Sequence, residues 1–436
     1  MSKTYDVAII GSGVTGSAIL YTLSKYTNIK SAVLIEKEKV LGGSNSYFNN
    51  NSQTLHVGDI ETNYTVEKAA KVKVGAELVA TYVEKSKKPI FRKIHKMVLA
   101  VGDKEVKELE ERYEKFKVLF PTLRKIYRDE IARLEPKVVE GRDPKQKICA
   151  LYNPNGYAID FGALSTSLID DACKSTKTMD VVTNTKITRI EPTKEDYILH
   201  TKKKEIKAKV VIVAAAANSL LFAHKLGYGK EFILLPVAGN FFSTKNVLNG
   251  KVYTMQIPKL PFAAVHGDPD VRNPHETRFG PTAKVLPMME RHHYDTTLDF
   301  IRLVRFRLDA IISLLKIISD PVLFKYLVRN VIYDLPFIGT RAFLSEIRKV
   351  VPSLRVQELK RARGVGGIRP QIVNTKTKSL DFGTAKIHGK NILFNITPSP
   401  GASMCLGNAF EDVKTIMGFF DGKYKFDEKK FKKEGG

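Results

Sequence analysis

The chain has 436 residues and a formal net charge of +25, from 71 lysine and arginine residues against 46 aspartate and glutamate residues. This length is about three times that of a typical domain, so we expect two or more domains with separate cores. No apolar run reaches the ~18 residues of a membrane span, and the 3 scattered cysteines predict neither a disulfide framework nor a metal site.

The excess of positive charge has three classes of candidate partner, namely nucleic acid, anionic lipid and small anionic substrates. We expect no nucleic acid, because tryptophan is absent and the sequence contains no zinc-finger, RNP or helix-turn-helix signature. A solvated, lysine-rich surface is the alternative explanation. The first apolar run begins close to the N-terminus, which leaves no room for a signal peptide and predicts that the protein stays where it is made.

The first forty residues carry the most specific motif. An apolar run at 7–10 leads into Gly11-Ser12-Gly13-Val14-Thr15-Gly16, then an apolar helical pattern, then a second apolar run at 32–35. In such a unit Gly11 allows the tight turn, Gly13 lets the backbone approach a pyrophosphate, and Gly16 lets helix and strand pack closely. The motif therefore predicts a Rossmann-type dinucleotide site.

Other groups of this unit complete the predicted site. The helix begins at about Val14 and Thr15, so its free N–H groups and positive dipole end would face the phosphates. The second apolar run ends at Glu36 and Lys37, where Glu36 would accept hydrogen bonds from a ribose hydroxyl. The motif alone does not choose between NAD and FAD.

A polar stretch at 42–58 follows, rich in serine, asparagine and glycine. Small hydrogen-bonding residues suit a loop that lies along a cofactor, and we select Ser44, Ser52, Gln53 and Thr54 as candidates. A plain exposed loop is the alternative. Further along, residues 66–87 have a helical pattern, and a clear amphipathic helix over 106–120 predicts a separate cap.

A further apolar strand is predicted at 210–213 and is followed by small residues at Ala214 and Ala215. Small residues let a backbone run close to a nucleotide, so we assign this strand to the first domain with Ile187 beside it. A buried strand without a ligand role is the alternative. Residues 233–300 alternate like strands.

Residues 298–333 are predicted to be helical, with a break at Asp320-Pro321. Basic residues are interleaved there with Ile, Leu, Val and Phe: Arg302, Arg305, Arg307, Lys316, Lys325 and Arg329. A basic amphipathic helix of this kind can lie in a membrane interface. The alternative is a core-facing helix whose cations extend to water.

The last hundred residues contain a second strand–loop–helix unit. A glycine-rich segment leads to Arg369, and a strand at 391–396 precedes a small-residue loop and a helix. The loop candidates are Pro398, Ser399, Gly401, Ala402 and Ser403. A helix N-terminus there could stabilise the anionic pyrimidine end of a reduced flavin, which favours FAD over NAD. We expect the basic residues 429–433 to form a frayed tail.

Together these elements predict an α/β fold. A Rossmann-type FAD-binding domain, which resembles that of the glutathione-reductase-like flavoproteins, is combined with a second, α+β substrate domain built from inserted segments. We expect the FAD-binding domain at 1–85, 151–232 and 341–436, and the substrate or cap domain at 86–150 and 233–340.

Taken as a whole, the sequence resembles the malate:quinone oxidoreductases of the D-amino-acid-oxidase-like superfamily. The resemblance is carried, in order, by residues 51–56, 59–65, 259–266, 278–283, 369–371 and 397–402. One loop departs from the family: Asn51-Ser52-Gln53-Thr54-Leu55-His56 stands where many members have Asn-Ala-Gly-Thr-Gly-His, although the histidine stays aligned.

The resemblance implies FAD, oxidation of L-malate to oxaloacetate by hydride transfer to flavin N5, and delivery of electrons to a membrane quinone. It also implies a peripheral position on the cytoplasmic face of the cell membrane, between the tricarboxylic acid cycle and the respiratory chain. L-lactate and L-2-hydroxyglutarate are rival substrates, oxygen is a rival acceptor, and a non-catalytic flavin-binding membrane scaffold is a rival of another class.

Oxidation of a secondary alcohol needs a base, and histidine is the natural base near neutral pH. His266 and His56 are the candidates, with His266 preferred because it lies in the predicted substrate sheet. Arg369 is the expected ligand of the substrate carboxylate, because arginine binds a carboxylate through two parallel hydrogen bonds. Arg278 is the candidate for a second carboxylate.

Overall fold

The computed structural model describes residues 3–257, 264–304, 307–362, 364–381, 385–397 and 400–435. The candidates Pro398 and Ser399, the basic residue Arg305 and most of the predicted family stretch at 259–266 lie outside the described residues.

The strands of the described residues form three sheets. They are β1 (Thr4–Ile10), β2 (Ser31–Ile35), β3 (Phe91–Val101), β4 (Arg124–Tyr127), β5 (Ile148–Ile159), β6 (Thr178–Val182), β7 (Arg189–Pro192), β8 (Tyr197–His200), β9 (Glu205–Val213), β10 (Phe232–Ala238), β11 (Phe242–Lys245), β12 (Lys251–Thr254), β13 (His266–Pro269), β14 (Glu276–Gly280), β15 (Lys284–Val285), β16 (Lys360–Arg361), β17 (Ile368–Asn374), β18 (Ser379–Asp381), β19 (Ala385–Gly389) and β20 (Ile392–Ile396).

The helices lie on the faces of these sheets. They are α1 (Val14–Tyr26), α2 (Val66–Ser86), α3 (Asp103–Phe116), α4 (Arg128–Leu134), α5 (Pro136–Val139), α6 (Phe161–Cys173), α7 (Asn218–Lys225), α8 (Thr296–Val304), α9 (Leu308–Ile318), α10 (Pro321–Ile332), α11 (Gly339–Ile347), α12 (Cys405–Gly418) and α13 (Glu428–Gly435). Short 3₁₀ turns lie at Phe48–Asn50 and Val356–Glu358.

The first sheet has the order β19-β20-β9-β1-β2-β6, and a β7–β8 hairpin joins it through β9. Its central strands are parallel. Alternate residues of β1 enter cores on opposite faces: Val7 and Ile9 pack with α1, α6 and α12, whereas Ala8 and Ile10 pack with the hairpin and α7. Burial on both faces explains the unbroken apolar runs and confirms the predicted Rossmann-type sheet.

Two further sheets build the remainder of the chain. A small antiparallel sheet has the order β15-β10-β17-β18, and a large mixed sheet has the order β16-β11-β14-β13-β12-β3-β5-β4. Their strands come from segments that alternate along the sequence with those of the first sheet, as expected for inserted segments. The predicted boundary at residue 151 falls inside β5, which pairs with β3 in the large sheet.

Helices α9 and α10 cover one face of the small sheet. Leu323 and Leu327 of α10 and Ile317 of α9 pack there against Leu235 and Val237 of β10. The predicted break at Asp320-Pro321 is present, since the Asp320 side chain accepts hydrogen bonds from the first N–H groups of α10. No helix among the described residues has the length and apolar character that crossing a bilayer requires.

The C-terminal segment differs from its prediction. Residues 429–433 belong to α13, so they are not a frayed tail. Phe431 is buried against the rings of Tyr26, Phe410 and Phe426. A single aromatic residue among the four lysines of 429–433 produces no visible apolar period, but its packing is enough to dock the helix.

Candidate functional site

A cleft of about 730 Å³ runs along the carboxyl ends of the parallel strands. Eleven predicted cofactor residues line it: Gly11, Gly13, Val14, Thr15, Glu36, Lys37, Ser44, Ile187, Ala214, Ala215 and Ala402. The cleft also takes in Pro370, the neighbour of Arg369, and Thr397. The two ends of the sequence meet here, since the hydroxyl oxygens of Thr15 and Thr397 are 3.2 Å apart.

Two glycines of the turn, Gly11 and Gly16, lie where a side chain would collide with the backbone. Gly11 has φ +107°, and a Cβ there would lie 2.4 Å from the carbonyl oxygen of Ala214. A Cβ on Gly16 would lie 2.0 Å from the carbonyl oxygen of Gly11, so Gly16 serves the packing of helix on strand. The N-terminus of α1 lies at the cleft; its N-cap residue Gly13 has no side chain to cap the helix, and the Val14 N–H donates to the Ser46 hydroxyl at 3.1 Å. These features favour an anionic group at the turn.

Glu36 lies at the end of β2 and faces the cleft. Its carboxylate accepts hydrogen bonds from the Ser12 N–H (2.8 Å) and from the Ser12 hydroxyl (2.6 Å). Lys37 beside it pairs with Glu290 and, at 3.5 Å, with Glu38. Because Glu290 comes from a distant segment, sequence spacing gave no signal for this contact.

The other described cofactor candidates do not line the cleft, and they hold neighbouring loops together instead. The Gln53 amide donates to Asp270 Oδ2 (2.8 Å) and accepts from the Val271 N–H (2.9 Å). Ser403 Oγ accepts from the His56 N–H (2.8 Å) and donates to the Thr54 carbonyl (3.3 Å).

Three further candidates complete this account. The Thr54 hydroxyl lies 2.6 Å from the phenol oxygen of Tyr253. The Ser52 carbonyl accepts a hydrogen bond from the Lys251 ammonium at 3.1 Å. Gly401 is buried just before α12, which begins at Cys405 without a side-chain cap.

His56 is hydrogen-bonded to a carboxylate. Its Nδ1–H donates to Glu61 Oε1 at 2.6 Å, and Glu61 Oε2 accepts from the Gly58 N–H at 2.8 Å. Burial tends to raise the pKa of Glu61, but the hydrogen bond from His56 and the charges of His56 and Lys96 outweigh it and lower that pKa to about 2. Within the described part of the chain, the hydrogen-bond partner of the His56 Nε2 is the Ser52 hydroxyl alone, at 3.5 Å.

His266 is fully buried in the large sheet and stacks on Tyr253, with ring centroids 4.4 Å apart. Its Nδ1–H donates to the Ala264 carbonyl at 3.1 Å, and its Nε2 lies 3.4 Å from Asp268 Oδ1. The other Asp268 oxygen pairs with the Lys251 ammonium at 3.0 Å. Burial, followed by the charge of Lys251, holds the pKa of His266 well below its usual value.

Arg369 lies on β17, opposite Val237 of β10. Its guanidinium forms no hydrogen bond or ion pair with any residue that the structure describes. Burial lowers the pKa of Arg369, and the phenols of Tyr326 and Tyr253 act in the opposite direction. Both histidine rings flank Tyr253, with ring centroids 6.4 Å away for His56 and 4.4 Å for His266, and the charge of Arg369 helps to lower the pKa of His266.

Arg278 is less available to a ligand. Its guanidinium donates to Asp270 Oδ2 (3.2 Å) and to the Asn51 carbonyl (2.8 Å), and it lies over the Phe241 ring. These contacts fix the loop that precedes Gln53 and His56. The paired state of Arg278 contrasts with that of Arg369, whose guanidinium has no ionic partner among the residues that the structure describes.

Comparison with known proteins gives a consistent result. Residues 3–430 match the sequence family described as malate:quinone oxidoreductase (Mqo). The chain is 41% identical to a protein of Campylobacter jejuni named probable malate:quinone oxidoreductase, with 99% of each chain covered. It is 38% identical to the malate:quinone oxidoreductase of Helicobacter pylori, with 98% of this chain and 97% of that protein covered.

Among solved structures, the fold is similar to that of L-alpha-glycerophosphate oxidase from Mycoplasma pneumoniae, determined with FAD bound. The TM-score is 0.69 at 20% identity, and the alignment covers 95% of each chain. This similarity supports the fold class that the sheets show.

Proposed function

Because the chain belongs to the malate:quinone oxidoreductase family, we propose that it oxidises L-malate to oxaloacetate with FAD and passes the electrons to a membrane quinone. One observation supports this proposal most directly. His56, hydrogen-bonded to Glu61, lies against the buried Tyr253, and the Arg369 guanidinium, which has no ionic partner among the described residues, acts on the pKa of the same tyrosine through its charge.

The cleft residues fit the proposed cofactor. A turn in which a Cβ would collide with backbone can receive a pyrophosphate, and the positive dipole end of α1, which begins at Val14 in the cleft, favours the negative charge of the phosphates. Glu36 would hold a ribose, and the segment around Thr397 and Ala402 would contact the other end of the cofactor. When bound, FAD supplies the hydride acceptor for the reaction.

Arg369 would hold the carboxylate next to the reacting carbon. A guanidinium that burial has partly desolvated, and that has no ionic partner among the described residues, gains most from a charge-assisted pair with an anion. Arg278 would act through the loop at 48–53, because its hydrogen bonds already engage Asp270 and Asn51. We therefore assign the first carboxylate to Arg369 and treat Arg278 as a positioning residue.

His56 would accept the hydroxyl proton of the substrate. Its Nδ1–H is bound to Glu61, so the lone pair for a new proton is on Nε2. The Glu61 carboxylate stabilises the imidazolium that forms when this proton arrives. His266 would remain neutral and would support Tyr253 by stacking.

A quinone acceptor requires contact with a membrane. The net charge of +25 favours an anionic leaflet, which in a cell is the cytoplasmic one. In that position the protein would join a reaction of the tricarboxylic acid cycle to the respiratory chain as a peripheral membrane protein.

Anaerobic bleaching of the bound flavin tests the proposal. The purified protein is mixed separately with L-malate, L-lactate and L-2-hydroxyglutarate, and the flavin absorbance is followed. We expect rapid bleaching by L-malate and return of the absorbance on addition of a quinone analogue. Bleaching by another acid alone would contradict the substrate, and the absence of any bleaching would favour a non-catalytic scaffold. Rapid peroxide formation in air that quinone does not suppress would contradict the acceptor.

A further inference from the structure

Helices α8, α9 and α10 are apolar on two sides. On α9 the inner side packs through Ala310 and Ile317 onto the small sheet. The outer side carries Leu308, 71% exposed, and Leu315, 63% exposed, at a spacing of seven residues on one helix face. On α10 the exposed side carries Phe324 and Val331 at the same spacing. The outer sides of these helices are thus apolar without being covered.

The turn after α10 adds an exposed aromatic ring. Phe337 is 96% exposed and has φ +65°, a backbone conformation that is uncommon for a bulky residue. Its neighbours Leu335 and Ile338 are also exposed. Neither the exposure of a large apolar side chain nor its positive φ stabilises the folded chain. Both features therefore indicate a role for Phe337 other than folding.

Exposed cations accompany these apolar side chains. Lys316 of α9, Lys325 of α10 and Arg341 of α11 are exposed, and they form no ion pair with any residue in the described ranges. Nearby cations such as Arg302 and Arg329 are exposed as well, although they pair with Asp299 and Glu346. Apolar side chains with free cations between them match the chemistry of an anionic lipid surface.

We propose that the outer sides of the neighbouring helices α9 and α10 and the turn 335–338 form one docking surface for an anionic lipid bilayer. Large exposed apolar side chains that are grouped in this way mark sites of interaction with a partner or a membrane. Shallow insertion would bury the outer residues of α9 and α10 and the Phe337 ring, while Lys316 and Lys325 reach the lipid phosphates. The assignment of a bilayer rests on the proposed quinone acceptor, which resides there.

The docking surface also lies close to the proposed substrate site. Tyr326 is on α10, which packs on the face of the small sheet that contains Val237, the register partner of Arg369. A helix with its side chains is about 10 Å across. A bilayer on the outer side would therefore lie about one helix diameter from Arg369, which would allow a membrane quinone to approach the flavin without leaving the lipid.

Co-sedimentation of the full FAD-loaded chain with vesicles tests the docking surface. Phe337→Asp replaces the exposed ring by a residue that tolerates positive φ, so the fold should be unaffected. We expect it to lower binding to phosphatidylcholine–phosphatidylglycerol vesicles about tenfold, because burial of the aromatic ring is lost. Val118→Asp is the matched control, since Val118 is 84% exposed outside the docking surface and its variant should bind normally.

Several results would overturn the proposal. Equal vesicle binding by Phe337→Asp and the unaltered chain would exclude the docking surface, and equal binding to phosphatidylcholine alone would exclude the anionic lipid. A dimer in sedimentation velocity that Phe337→Asp dissociates, with vesicle binding unchanged, would identify a second copy as the occupant. Turnover of L-malate with a water-soluble quinone should be retained in both variants. If turnover is absent while vesicle binding depends on Phe337, the docking surface stands and the proposed function fails.

Discussion

His56 and His266 lie on either side of Tyr253. Each has a carboxylate partner, but only one of the two carboxylates is also paired with a lysine of the described residues. Each lies beside a buried carboxylate, Glu61 for His56 and Asp268 for His266. Glu61 makes no ion pair with a lysine or arginine of the described residues, whereas Asp268 is paired with Lys251 at 3.0 Å. The carboxylate of Glu61 is thus available to stabilise a protonated histidine, and that of Asp268 is neutralised. The difference lies in the placement of one lysine.

Sheet register explains that placement. Lys251 of β12 is the register partner of Lys96 of β3, and both side chains are fully buried. Lys96 pairs with Asp59 at 2.7 Å, so each lysine has its own carboxylate. The next residue pair on the same face consists of Tyr253 and His266. The buried charges of Lys251 and Lys96 and of their carboxylates therefore lie on the same sheet face as His266, the histidine that the sequence favoured as the base.

Replacement of each histidine by glutamine should separate their roles most strongly. We expect His56→Gln to lower the anaerobic rate of flavin reduction by L-malate about 10³-fold, in the range of general-base catalysis. We expect His266→Gln to lower it only about tenfold, because a neutral ring that stacks on Tyr253 contributes orientation. Retention of bound FAD in both variants is the control, and the opposite order of effects would assign the base to His266.

Removal of the lysine that neutralises Asp268 should destabilise the fold. Lys251→Met leaves a buried carboxylate without its cation, which we expect to lower the free energy of unfolding by about 4 kcal/mol in urea titrations. The double variant Lys251→Met with Asp268→Asn removes both charges and should recover most of this loss. Equal stability of the single and double variants would show that the pair is not electrostatically coupled.

Arg369 contrasts with Lys251, because no residue in the described ranges forms an ion pair with it. We expect Arg369→Ala to lower kcat/KM for L-malate by about 3 kcal/mol of transition-state binding, with FAD still bound. Stability should change little, since no ion pair of the described residues is broken. Arg369→Lys keeps the charge but cannot form the two parallel hydrogen bonds, so its kcat/KM should lie between those of Arg369→Ala and the unaltered chain. Near-normal turnover of Arg369→Ala would remove this residue from the site.

The parts of the molecule that the sequence predicted well are local. The unit from Gly11 to Glu36 is encoded within one stretch, and its steric requirements apply wherever it occurs. His56 and Glu61 are separated by five residues of irregular loop, so no helical or strand period announces their contact. The Lys251–Asp268 pair depends on the register between β12 and β13, which short-range pattern does not determine. The sequence therefore indicated both histidines as candidates for the base, but it did not indicate the contacts that distinguish them.

Helices α9 and α10 show the same limit in another form. Their sequence is apolar around much of the circumference, which fitted both a core-facing helix and a membrane interface. In the structure one apolar side is buried and the other is exposed: Leu323 and Leu327 pack on the small sheet, and Phe324 is exposed. Which apolar side is covered depends on the shape of the sheet beneath, and that shape is set by strands far away in the sequence.

The smallest expected effect is a difference in acid sensitivity. His266 has a folded-state pKa well below the usual 6.5, so below about pH 6.5 the unfolded chain binds a proton that the folded chain does not. Stability should therefore fall on acidification by about 1.4 kcal/mol per pH unit from this group alone. The loss begins near the unfolded pKa and continues until the folded pKa is reached.

Urea titrations of the unaltered chain and of His266→Gln at pH 7 and about pH 5.5 would measure this difference. We expect the variant to lose about 1 kcal/mol less than the unaltered chain over that interval, because glutamine does not titrate. Equal slopes for the unaltered chain and His266→Gln would mean that the buried ring takes up its proton at the same pH in the folded and the unfolded chain, which would contradict the lowered pKa of His266.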